Sequence, residues 1–147
     1  MTRLFASVVI GYLVVMCIVF LALSGAYLVL GSDRAFLPGS YEGNTLWNVL
    51  SLALNFVSAA VAGLVCAAVA RDPRGPKLLA GLVLVIGVAL AIPVIRQVHV
   101  PEVRAGDVGL LTAIAKGSQP HWVALSTPVI GALGVLLGGR RRTGAAA

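Results

Sequence analysis

Four stretches of this chain, residues 4–32, 43–70, 78–95 and 120–139, contain no Asp, Glu, Lys or Arg, and every charge falls in the short gaps between them or just beyond the first and last. A helix in water needs a polar face opposite its apolar stripe, and these segments are too uniformly apolar to supply one. A bilayer core about 30 Å thick is crossed by about 20 apolar residues rising about 1.5 Å each. The pattern therefore predicts an all-α, polytopic integral membrane protein with four transmembrane helices, at about 5–30, 45–70, 78–95 and 121–138. The 11% share of charged residues agrees, since a soluble domain carries about a quarter. Residues 1–142 are read as one transmembrane domain and 143–147 as a disordered tail. The first stretch exceeds the about 7–15 apolar residues of a signal peptide, so it is expected to be retained as a span.

Basic residues in short membrane loops encode orientation. With a cytoplasmic N-terminus, Arg3, Arg71, Arg74, Lys77, Arg140, Arg141 and Arg142 lie inside, and Arg34, Arg96, Arg104 and Lys116 outside. Asp72 is then the inner acid, with Asp33, Glu42, Glu102 and Asp107 opposite. The net charge of +6 thus falls on one face, which favours an antiparallel up-down bundle with both termini inside, in a cell inner membrane. Arg71, Arg74, Lys77 and Arg140–Arg142 are expected to contact anionic lipid. That placement accounts for the basic character without nucleic acid. Arg outnumbers Lys nine to two and Ala, Gly, Val and Leu are abundant, as in GC-rich bacterial genomes.

The second span carries Asn48, Ser51, Asn55, Ser58, Ala62 and Cys66 at spacings of three and four, with Gly63 beside them. Such spacing puts small and polar side chains on one stripe, which in lipid should face other helices. The fourth span repeats glycine at Gly131, Gly134 and Gly138, giving one GxxxG pair, and carries Pro128. Asn44 or Thr45 is expected to cap span two, and Trp47 to anchor it at the headgroup layer with Phe36 and Tyr41 nearby. Pro73 and Pro76 mark a tight turn that makes spans two and three neighbours. Pro93 is expected to kink or end span three. In the longest connector, Asp107, Lys116 and Gly117 signal a short interfacial helix, with Val108, Leu111, Ile114 and Ala115 on one face.

The spans hold no carboxylate, Lys or Arg, the groups on which pumps and secondary transporters generally rely. Cys17 and Cys66 are expected at different depths and match no CxxC pattern. No hydroxyl has an adjacent base, and no phosphate-binding glycine loop follows a strand. The reading is a small membrane protein that is not an enzyme and binds no cofactor. It acts as a scaffold, accessory subunit or assembly partner, packing against itself or another membrane protein. The alternative is an oligomeric conduit or carrier for a small neutral or lipid-like molecule, lined by Asn48, Ser51, Asn55 and Ser58. A weaker alternative places a metal in the second outer loop at His99, Glu102 and His121, with Asp107 nearby.

Overall fold

The computed structural model describes residues 2–96, 103, 104 and 106–143, with side chains through Arg140. It is all-helical among these residues: α1 (Thr2–Leu30), α2 (Ser32–Ala35), α3 (Thr45–Ala70), α4 (Arg74–Arg96), α5 (Leu110–Lys116) and α6 (His121–Thr143). The helices α1, α3, α4 and α6 are each long and apolar enough to cross a membrane. The remaining order consists of isolated bridges, Phe36 to Gly43 and Glu42 to Ser118.

The expected limits of span two coincide with α3. Asn44 caps it, its Oδ1 accepting from the Trp47 N–H at 2.8 Å, and Arg71 ends it in the left-handed region at φ 50°. The others run past their uncharged cores at one end or both. α4 starts at Arg74, not 78, α6 continues to Thr143, and α1 begins at Thr2. Lys and Arg are good helix formers, so a charge marks the edge of the hydrocarbon, not the end of the helix. Pro93 lies inside α4, which continues past it to Arg96. Thr143, read as the start of the tail, closes α6, and residues 144–147 lie outside the described set.

The least apolar long helix is the most enclosed. Half of the α6 span window is buried (50%), against 17% in α1 and in α4. Glycine is the reason. A Cβ on Gly134 would stand 2.7 Å from the Phe56 carbonyl oxygen, and Cβ atoms on Gly63 and Gly138 would strike the backbones of Val135 and Ala60. Backbone thus lies on backbone across the α3–α6 interface, the closest approach apolar helices can make. Gly87 does the same for α4 and α6, where its missing side chain admits the Pro128 ring. The turn at Pro73 and Pro76 is expected to make α3 and α4 neighbours. They do touch, but each makes its larger interface with α6, and α1 packs chiefly on α3.

Ala59, Ala62, Cys66, Leu79, Ala80 and Val135 meet with Val15 in the central core. Ser7 and Gly11 lie against the Gly75, Cys66 and Leu79 region, and Gly139 lies on Pro76. The start of α1, the 71–73 link and the last turns of α6 therefore share one end, here the turn end. Residues 31–44 meet residues 103, 104 and 106–120 at the other, the loop end.

Candidate functional site

The loop end is built around Tyr27, the last buried residue of α1. Its hydroxyl donates to the Val108 carbonyl at 2.7 Å. Its ring meets Phe36 and Trp47 edge-on, with centroids 6.1 and 6.0 Å away. Phe36 in turn contacts Tyr41, and Lys116 Nζ stands 5.4 Å from the Tyr41 ring centroid. Edge-to-face pairs at such distances add about 0.5–1.5 kcal/mol each beyond area burial. The cluster holds the first loop onto α1 and α3.

Main-chain bonds then join the two loops. Leu37 N–H donates to Glu42 O at 2.8 Å across a turn in which Gly39 adopts φ +68°, a conformation that disfavours side chains. Gly43 N–H donates to Ser118 O, Ser118 N–H to Tyr41 O, and Arg104 N–H to Gly39 O. Arg104 is buried, donating from Nη2 to Asp33 Oδ1 at 2.9 Å and from Nη1 to Gly106 O at 3.1 Å. Its Nε finds no partner among the described residues. Ser32 donates to Asp107 Oδ1, which also accepts from Val108 N–H.

The short helix exists, but Asp107 does not cap it. α5 begins at Leu110 behind Gly109, with no side-chain cap, because the Asp107 carboxylate is engaged by Ser32. The expected apolar face is split as well. Ala113 is buried, with Leu110 and Val108 packed beside the aromatic cluster, while Leu111 and Ile114 project outward, 83% and 56% exposed.

Between α1 and α5 lies a cleft of about 560 Å³, within the roughly 300–1,000 Å³ of small-molecule sites. Met16, Phe20 and Leu23 of α1 form one wall, with Val94 of α4 beside them. Tyr27, Phe36 and Trp47 form the base, and α5 with Lys116, Ser118 and Gln119 forms the far rim. Among the described residues, none that lines the cleft is acidic.

The sequence-derived stripe lies elsewhere. Asn48 is buried and its Nδ2 donates to Gly43 O at 2.9 Å. Ser51 and Ser58 donate to Asn48 O and Leu54 O of their own helix. Asn55 is half-buried beside Gly131 of α6, and its amide makes no hydrogen bond to any described residue. None of these four lines the loop-end cleft, and three already spend their polar groups on carbonyls of the same chain. Gly63, Gly131, Gly134 and Gly138 come together along the contact between α3 and α6. Arg71, Arg74, Lys77 and Arg140 are exposed at the turn end, and the side chains of Arg141 and Arg142 lie outside the described set. Of the candidate metal ligands, His99 and Glu102 also lie outside it. His121 opens α6 and is exposed, and Asp107 is bonded to Ser32. No group of three potential ligands occurs among the described residues. Cys17 is exposed and Cys66 buried, both as free thiols.

Among the described residues, fold and site define an all-helical protein with four helices long and apolar enough to cross a membrane, an ordered cap and an apolar cleft at one end. Comparison of the chain with protein-family models, curated proteins and solved structures gives no match.

Proposed function

We propose that this chain is a small inner-membrane protein of bacterial type, without catalytic chemistry, that works as a scaffold, accessory subunit or assembly partner. In this reading its four spans form an antiparallel up-down bundle with both termini cytoplasmic, and α5 lies in the outer interface. The contact registers support that arrangement. Along α3 and α6, Asn55 meets Gly131, Phe56 meets Gly134 and Ala60 meets Gly138, so the two share a direction. Gly87 against Pro128 and Pro76 against Gly139 oppose α4 to α6. The basic residues Arg71, Arg74, Lys77 and Arg140 at the turn end support a cytoplasmic placement for it. The exposed Leu111 and Ile114 of α5 suit a headgroup-level surface.

Asn55 carries the assembly reading. A half-buried amide midway along a span has no water to bond with, and an unmet polar group in hydrocarbon is costly. A polar group on a neighbouring membrane helix would meet it. Asn55→Leu is expected to weaken association by about five-fold, the effect of an interhelical hydrogen bond of about 1 kcal/mol. The measurement is the oligomer or complex distribution of the full chain in mild detergent across a dilution series. An unchanged distribution would reject assembly through Asn55. Solute flux above that of empty vesicles, lost in Asn55→Leu, would instead favour the conduit.

A further inference from the structure

The loop-end cleft has a depth, an opening and a charge that together describe an occupant. Its α1 wall runs from Met16 to Tyr27. At about 1.5 Å per residue that is about 16 Å of helix, close to half of the roughly 30 Å hydrocarbon core. The cleft therefore matches one leaflet in length. It opens sideways, since Met16, Phe20 and Ile114 on its walls are 54%, 59% and 56% exposed. In a bilayer that opening faces lipid tails, not water. Its rim carries Lys116, with Ser118 and Gln119 beside it, and no acid lines it among the described residues.

We infer that the cleft binds one acyl chain of an anionic membrane phospholipid, with the lipid phosphate at the Lys116 ammonium. Tyr27, Phe36 and Trp47 cradle the chain segment nearest the headgroup, and Met16 and Phe20 flank its tail. Ser118 and Gln119 supply hydrogen bonds at the glycerol level. A zwitterionic lipid fits the same apolar walls but gains less at Lys116, so selectivity lies in the headgroup. This site stands apart from the assembly role proposed for Asn55, which lines no part of it.

The chain has two tryptophans, Trp47 and Trp122, so Trp122→Phe leaves Trp47, in the cleft, as the single reporter. The full-length variant is reconstituted in zwitterionic vesicles containing increasing fractions of a brominated-chain lipid, either zwitterionic or anionic. Half-maximal quenching of Trp47 is expected at about five-fold lower fraction of the anionic lipid, the preference one surface lysine supplies. Adding Lys116→Gln is expected to abolish that preference, while Arg74→Gln at the turn end preserves it. Ser24→Phe, which fills the cleft from α1, is expected to reduce quenching by both lipids. Ile114→Phe, at an exposed wall position, provides the same block should Ser24→Phe fail to fold. Equal quenching curves for the two headgroups would overturn the assignment, as would a preference surviving Lys116→Gln or cleft-filling variants that quench like the parent.

Discussion

Gly138→Leu is expected to be the most damaging single substitution in this protein. Its Cβ would occupy the space held by the Ala60 carbonyl, so α6 would have to move off α3. Overpacking a core costs about 1–3 kcal/mol where side chains can shift. Here the obstacle is backbone, so the loss is expected at or above the top of that range. Since about 1.4 kcal/mol is tenfold in an equilibrium constant, a folded-to-unfolded ratio lower by more than about a hundred-fold follows. The measurement is a denaturing-detergent titration followed by circular dichroism, with the midpoint shifting strongly downward. Gly25→Leu is the internal control. A Cβ there meets nothing within 4 Å, so its midpoint is expected to stay at the parent value. Equal shifts for the two variants would mean that α3 and α6 do not approach as described.

The second large effect is asymmetric. Arg104 and Asp33 form one ion pair, but the Arg104 side chain is 6% exposed and that of Asp33 86%. Removing one partner of a buried pair is costly when it strands the other charge away from water. Asp33→Ala strands the guanidinium, which among the described residues then keeps only the Gly106 carbonyl. Arg104→Met leaves a carboxylate already in solvent and replaces the arginine stem with an apolar one. Asp33→Ala is therefore expected to loosen the loop-end cap more. Amide-exchange protection at residues 104 and 106–108 should fall about tenfold further than in Arg104→Met, a difference of about 1.4 kcal/mol. The reverse order would show that Arg104 reaches solvent in the folded protein.

The spans were legible because charge exclusion is a one-dimensional signal. Asn44 and Arg71 bound α3 where the pattern placed its ends. The turn-end limits of α4 and α6 were not legible, because helix and hydrocarbon stop at different residues when Arg74 or Arg140 continues the helix. Contacts distant in sequence were lost as well. Asp107 reads as an N-cap until Ser32, 75 positions earlier, takes its carboxylate. Arg104 reads as a solvated loop charge until Asp33, 71 positions away, pairs with it. The cleft left no trace either. Its α1 wall is ordinary apolar sequence, and it exists only because α5 packs Ala113 on the aromatic cluster and leaves Ile114 outside. Asn48 was grouped with Ser51, Asn55 and Ser58 by spacing alone, yet its amide holds the loop carbonyl of Gly43.

Labelling of single cysteines with a membrane-impermeant maleimide, in intact and then permeabilised cells, tests the four-span arrangement most directly. In a background with Cys17 and Cys66 replaced by alanine, Pro38→Cys reports the loop end and Arg74→Cys the turn end, both at exposed positions. Pro38→Cys is expected to label in intact cells and Arg74→Cys only after permeabilisation. Labelling of both from the same side would contradict a membrane crossing by α3.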